Sequence, residues 1–176
     1  YINQGYVRMY TVSESGGEVT LYIFSPSFIF PILWNKKLVP DQYYFESLTP
    51  AEIFSVEKSK LQQLIAQKPE VCSEIVDQLS SFSHSAIKKL EFKILGNAYQ
   101  QVIFTILDLA LHFGQKNKDG LAIAYWFTHQ DIANLTGLSR ERVTIEINNL
   151  QSKKLIYYSS HFITIPKLQL LESELE

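Results

Sequence analysis

Residues 127–149, FTHQDIANLTGLSRERVTIEINN, constrain the fold of this chain more than any other stretch. The spacing predicts two short amphipathic helices joined by a tight turn at Gly137, each opened by a hydroxyl residue. Thr128 caps the first, with Asp131 three residues later as capping-box partner in place of the more usual glutamate. Ser139 caps the second. Ile132, Ala133 and Leu135 supply the apolar side of the first helix, and Val143, Ile147 and Leu150 that of the second. This is the three-to-four spacing of a buried helix face. Arg140, Glu141, Arg142 and Thr144 are left on the exposed first turns of the second helix.

A buried back and polar side chains near the N-terminus of a second helix are what a helix-turn-helix needs to reach base edges in a major groove. The chain contains three arginines, Arg8, Arg140 and Arg142, and two of them sit on this one turn. That concentration points to DNA. The net charge of −2 argues against nucleic acid until it is divided by region. Residues 128–167 hold five basic residues against three acidic ones, a local surplus of two, and the remainder is correspondingly acidic. Electrostatic footprints are local, so the segregation matters more than the total. A surplus this small predicts a shallow salt dependence per subunit.

Upstream, residues 6–12 and 19–24 alternate like strands around a Ser-Glu-Ser-Gly-Gly turn and predict a hairpin. Residues 43–48 and 51–56 read as a second strand pair around Thr49-Pro50. Short strands at this spacing suggest a sandwich or jelly roll. A short helix over 58–67 precedes Pro69, and an uninterrupted helix is predicted over 69–95, about 40 Å long at 1.5 Å per residue. Pro69 suits its first turn and Gly96 its end. Its stripe of Val71, Ile75, Leu79, Phe82, Ala86, Leu90 and Ile94 needs a cover. Either its own domain or a second copy of the chain would provide one. Asn97 caps a further helix over 98–113, closed by Gly114; a turn over 116–120, a β run over 121–126 and a hairpin of 155–158 with 162–165 follow. The order helix, strand, helix-turn-helix, hairpin is that of a winged helix.

The run Thr128-x-Gln130-Asp131-Ile132-Ala133, Gly137, Ser139-Arg140-Glu141-x-Val143 and the Asn149-Leu150-x5-Leu155-Ile156 exit resemble the C-terminal domain of the CRP/FNR family of bacterial transcription regulators. The resemblance continues upstream through the long helix into the β-rich segment. It implies an α+β fold with three parts. A partial β jelly-roll, cyclic-nucleotide-binding-like sensor domain would occupy 1–68, a dimerisation helix 69–96, and a winged helix-turn-helix domain 97–176. It also implies additional N-terminal strands ahead of Tyr1 that would contribute to any ligand pocket. Ile75, Leu79, Phe82, Ala86, Leu90 and Ile94 would line a parallel two-helix dimer seam. Arg140 and Glu141 occupy the family's groove-facing positions, where arginine binds guanine bidentately and glutamate accepts from cytosine N4. Thr144 would touch a thymine methyl. Thr128, Gln130 and Ser139 would contact phosphates, and Arg142 either a phosphate or a base. Ile145 stands where the family commonly has arginine, so the usual family half-site does not carry over.

The cyclic-nucleotide binders of the family use a Gly-Glu pair and an Arg-Ser or Arg-Thr pair to hold the phosphate. Residues 26–46 contain neither glycine nor arginine, and without a guanidinium and a close backbone approach a cyclic phosphate has no anion site. No cyclic AMP binding is expected. The stretch is aromatic instead, and Phe30, Trp34 and Tyr44 are candidates for an effector pocket, with ordinary core as the plainer reading. His84, His112, His129 and His161 lack metal-ligand spacing, so neither metal nor cofactor is expected. A single cysteine, Cys72, excludes a disulfide framework. No nucleophile, carboxylate or phosphate-loop signature points to an enzyme. No apolar run reaches the roughly 20 residues of a membrane helix, no signal segment is recognisable, and a cytoplasmic protein is expected. Only the acidic end, residues 172–176, reads as disordered. The expected partners are a palindromic double-stranded operator, a second copy of the chain and RNA polymerase. The alternatives are a winged helix that binds protein, and an effector-independent scaffold.

Overall fold

The computed structural model describes residues 1–14, 16–30 and 43–175. It forms two compact units, Tyr1–Ile87 and Lys88–Glu176. The first contains strands β1 (Ile2–Gln4), β2 (Val7–Val12), β3 (Glu18–Phe24), β4 (Tyr43–Ser47) and β5 (Glu52–Ile53), followed by helix α1 (Lys58–Gln67). Helix α2 (Pro69–Ile94) runs from the first unit into the second. The second continues with α3 (Ala98–Phe113), β6 (Gly114–Asn117), β7 (Gly120–Ile123), α4 (His129–Thr136), α5 (Arg140–Ser152), β8 (Tyr157–Ser159), β9 (Phe162–Ile165) and α6 (Leu168–Glu172).

The β2–β3 hairpin predicted from the alternating pattern is present and antiparallel, with Val7 opposite Phe24 and Val12 opposite Glu18. The expected pairing of 43–48 with 51–56 is not. β4 instead lies along the other edge of β2, Arg8 opposite Glu46, and β5 pairs with β1, Ile2 opposite Ile53. Residues 2–11 and 43–53 thus form one antiparallel ladder that breaks at a shared corner. There the Leu48 amide donates to the Tyr6 carbonyl and the Tyr6 amide to the Thr49 hydroxyl. Gly5 has a φ of +88°, and a Cβ on it would sit 2.4 Å from the Pro50 carbonyl oxygen. Proline and glycine mark a corner of a long strand pair here, a distinction that local sequence does not carry.

Ile2, Val7, Met9, Tyr22, Phe24 and Phe28 form the core of this unit, with Phe30, Tyr43 and Phe82 packed against it. Phe82 comes from α2, its ring 4.8 Å from that of Tyr22. Four residues earlier, the Gln78 amide accepts from the Ile29 backbone amide at 3.0 Å and donates to the Ser27 carbonyl at 2.9 Å.

In the second unit, Asn97 caps α3 in a reciprocal box with Gln100, and Val102, Ile103, Thr105, Ile106, Leu109, Ala110 and Phe113 are buried along it. The sheet order is β6-β7-β9-β8. The second half of β6 falls where the sequence predicts a turn. Its Gln115, Lys116 and Asn117 are exposed and polar, and only the ladder to β7 makes it a strand. The turn shrinks to residues 118–119 and the following strand ends at Ile123. The end of α2 packs into this unit: Phe92 stacks on Phe104 at 4.8 Å, and the Lys93 ammonium donates to the Thr136 carbonyl at 3.1 Å.

Gly5→Ala is expected to destabilise the β unit by about 1–3 kcal/mol, the usual cost of a forced backbone conformation. The measurement is amide hydrogen exchange across Val7–Val12; unchanged protection would show that the corner tolerates a side chain.

Candidate nucleic-acid interface

Two caps and one left-handed residue shape the helix pair. The Thr128 hydroxyl accepts from the Asp131 amide at 3.1 Å, while the Asp131 carboxylate accepts from the Thr128 amide at 2.8 Å. α4 ends at Gly137, φ 71°, whose amide donates to the Ala133 carbonyl at 2.7 Å. That conformation is costly for residues with a Cβ. Ser139 then caps α5, its hydroxyl accepting from the Arg142 amide at 3.2 Å. Val143, Ile147 and Leu150 are fully buried on the back of α5, which lies against α3, α4 and β8. The front carries Arg140, Glu141, Ile145, Asn148 and Asn149, all exposed. This much follows the sequence expectation closely.

The side chains divide according to their partners. Arg140 enters no ion pair among the described residues. The Glu141 carboxyl is held below the usual carboxylate range by hydrogen bonding to its own backbone amide, then to the Ser139 hydroxyl, with Arg140 adding to the effect. Glu141 is therefore an ionised, acceptor-only group at the head of the helix. Arg142, in contrast, is committed: its guanidinium lies 2.6 Å from Glu146, whose side chain is 4% exposed against 52% for the arginine. Sequence reading overlooks Glu146 as a partner, although the i,i+4 spacing signals it. The Thr144 hydroxyl is committed too, donating to the Arg140 carbonyl at 2.9 Å and meeting His129 Nδ1 at 2.8 Å. Only its methyl group remains to be offered. Gln130 is exposed and donates to Asn134 at 2.9 Å.

His129 reads in the sequence as an incidental histidine, and the structure gives it a position. Because Thr144 gives its one hydroxyl proton to Arg140, it accepts from His129 at Nδ1, leaving Nε2 as a bare acceptor. That atom is buried and has no partner among the described residues. The ring packs 4.8 Å from Tyr158 of β8, whose hydroxyl donates to the Phe127 carbonyl at 2.9 Å. α4, α5 and the hairpin therefore meet at His129. Burial, followed by the charges of Arg140 and His161, holds its pKa below the ordinary histidine value.

The acidic end of the chain, expected to be disordered, is ordered through residue 175. Glu174 lies 2.7 Å from Lys153, which also donates to the Tyr99 hydroxyl at 3.0 Å. Two of the five basic residues counted toward DNA, Arg142 and Lys153, are therefore neutralised within the chain.

In the β unit, two of the three candidate effector residues, Phe30 and Tyr44, lie among the described residues. Phe30 stacks on Phe24 and packs at a tilt against Phe45, 5.8 Å away, and Phe45 is opposite core residue Met9. Tyr44 faces the other way, paired with Tyr10 at 5.4 Å and half exposed. Trp34 lies outside the described residues. Arg8 is held by Glu18 and Glu46 at 2.8 and 2.5 Å. The expected seam on α2 also divides: Phe82 and Ile75 are half-buried, whereas Leu79, Ala86, Leu90 and Ile94 are exposed, joined by Val76 and Ile87. Among the described residues no group of three or more His, Cys, Asp and Glu is placed to hold a metal ion, and no helix is long and apolar enough to cross a membrane.

A capped helix pair with a sealed back, an exposed polar front and a β-hairpin behind it defines a winged helix-turn-helix DNA-binding protein. Residues 100–174 match the Crp-like helix-turn-helix domain. A global nitrogen regulator of Synechococcus elongatus is 28% identical over 170 residues, 92% of this chain and 74% of the relative. A CooA mutant from Carboxydothermus hydrogenoformans has the same fold, with a TM-score of 0.81 at 16% identity over 99% of this chain and 77% of that one. A CRP-family transcriptional regulator from Thermus thermophilus superposes with a TM-score of 0.78 at 20% identity, covering 99% of this chain and 85% of that one. The chain is thus similar to CRP/FNR-type transcription regulators, most directly through the Crp-like helix-turn-helix domain over residues 100–174.

Arg142→Ala leaves the buried Glu146 carboxylate unpaired, so it is expected to lower the denaturation midpoint while Arg140→Ala leaves it in place. Urea unfolding of both variants decides this, and equal midpoints would contradict the assigned roles. The depressed pKa of His129 also makes stability depend on pH. The unfolded chain takes up the proton more readily, so stability is complete above the ordinary value of about 6.5 and falls as pH drops toward the lowered native value. Urea midpoints at pH 7.5 and 5.5 are expected to differ less in His129→Phe than in the parent protein.

Proposed function

We propose that the chain acts as a homodimer that reads a palindromic operator, placing one α5 in each of two successive major grooves, without requiring cyclic AMP. The observation that carries this reading is the pairing of Arg140 and Glu141. Both are exposed at the capped head of a helix whose back is sealed. Arg140 offers a bidentate fork to guanine O6 and N7, and the ionised Glu141 an acceptor to cytosine N4, each worth about 1–3 kcal/mol of discrimination. The Thr144 methyl group lies beside them. Thr128, Gln130 and Ser139 approach phosphates through side chains and helix N-terminal amides, and Arg142, braced by Glu146, is better suited to a phosphate than to a base.

The dimer contact is assigned to α2, as the link between a sensor domain (residues 1–68) and a DNA-binding domain (97–176). Val76, Leu79, Ile87, Leu90 and Ile94 recur at three, four and eight residues on its exposed side, with Leu90 58% and Ile94 69% accessible in the single chain. Such a stripe meets its own copy in a two-helix seam. Two symmetric copies would set half-sites one helical turn apart, about 34–36 Å. Independence from cyclic AMP rests on the lack of arginine in residues 26–46 and on the engagement of Arg8, the β unit's single arginine, by two carboxylates.

Two variants test this reading. Leu90→Glu is expected to sediment as a monomer and to lose operator binding; Arg140→Ala is expected to remain dimeric and lose sequence preference. A dimeric Leu90→Glu protein would contradict the seam. An Arg140→Ala protein with undiminished preference would contradict the reading head.

A further inference from the structure

Ile145 is the least conventional residue on the reading face. It is 57% exposed, whereas Ile132 and Ile147 on the same helix pair are fully buried. At 3.6 residues per turn, Glu141, Ile145 and Asn148 fall within about 60° of one another. Val143 and Leu150 lie on the opposite side and are fully buried. Ile145 therefore stands on the exposed face, between Glu141 and Asn148 along the helix axis, and its own chain does not bury it. Nothing in the architecture of α5 needs an apolar residue there.

We propose that Ile145 selects the base it faces by packing on the C5-methyl group of a thymine. This rests on the reading of α5 as the DNA-reading helix. An isoleucine has no donor or acceptor, so it cannot pair with the purine edges or the cytosine amine. Placed against them, it would strip water from polar atoms without replacing the hydrogen bonds. The pyrimidine C5-methyl is the apolar feature of the major groove, carried by thymine in unmodified DNA. The β-branched side chain also has one strongly preferred χ1 rotamer in a helix, so its methyl groups are presented with little entropy to lose. Asn148, one turn further on, has the amide that pairs bidentately with adenine. Ile145 and Asn148 together favour an A·T-containing segment beside the G·C pair assigned to Arg140 and Glu141.

The test uses the tightest duplex selected from a random pool by the full chain. Each thymine is replaced singly by deoxyuridine, which deletes only the methyl group, and affinity is measured for the parent protein, Ile145→Val and Ile145→Ala. One thymine per half-site is expected to cost the parent about fourfold on losing its methyl, the factor associated with burying one such group. The same substitution is expected to leave Ile145→Ala unaffected, with Ile145→Val between. In a second arm, each cytosine is replaced by 5-methylcytosine; a gain there with no sensitive thymine would transfer the contact to a modified cytosine and overturn the thymine assignment. Equal uridine effects in parent and Ile145→Ala would overturn the inference while leaving DNA reading intact. If no duplex is enriched, the reading of α5 falls and this inference falls with it.

Discussion

Burial of α3 is the constraint on which the DNA-binding unit depends. Seven of its sixteen residues are buried, and the helix touches α4, α5, α6, β6 and β7. An apolar stripe of this width can be satisfied only by covering it from several sides. α5 contributes Val143, Ile147 and Leu150 to the buried interior of the same unit. The orientation of α5 is thereby fixed, and with it the identity of the residues left facing outward. Gly137 completes the arrangement, since its left-handed conformation lets the chain turn between α4 and α5 within three residues. The exposed face of α5 is therefore a consequence of core packing, with the polar residues occupying what the core does not use.

Within that frame, part of the charge near α5 is already committed. Arg142 is tied to Glu146 and Lys153 to Glu174, so much of the formal positive charge near α5 is taken up by structure. Arg140 is left as a cation without an ion pair among the described residues, beside a carboxylate held ionised by helix N-terminal hydrogen bonds. Such a face depends more on the geometry of a few contacts than on a broad positive field, consistent with the small local surplus of charge. His129 ties that geometry to the hairpin, because the hydroxyl it supports bonds the Arg140 carbonyl.

What the sequence discloses is what local chemistry controls. Thr128, Ser139 and Asn97 announce helix starts, Gly137 a reversal, and Pro69 the first position of α2; each of these helices lies within a residue or two of its expected bounds. What it hides depends on distant partners. β6 is polar and exposed and is a strand only through β7. The corner at Gly5 pairs β5 with β1 because Pro50 lies against it. On α2, a shift of one residue moves a position by 100°, and the apolar pattern alone does not separate Phe82, docked on Tyr22, from Ile87, left exposed. The commitments of His129 and Lys153 arise from residues 15 and 21 positions away. Composition groups Phe30 with Tyr44, yet alternation along β4 and its pairing with β2 set Tyr44 on the face opposite the core that Phe30 joins.

In the proposed mode of action, two copies of α5, presented by a dimer of α2, read a defined sequence without a small-molecule signal. Selection from a random duplex pool by the effector-free protein at near-physiological salt tests it most directly. The expected result is an enriched inverted repeat, its half-sites one helical turn apart, each containing a G·C pair for Arg140 and Glu141. Weak, salt-sensitive binding with no enriched sequence would contradict it.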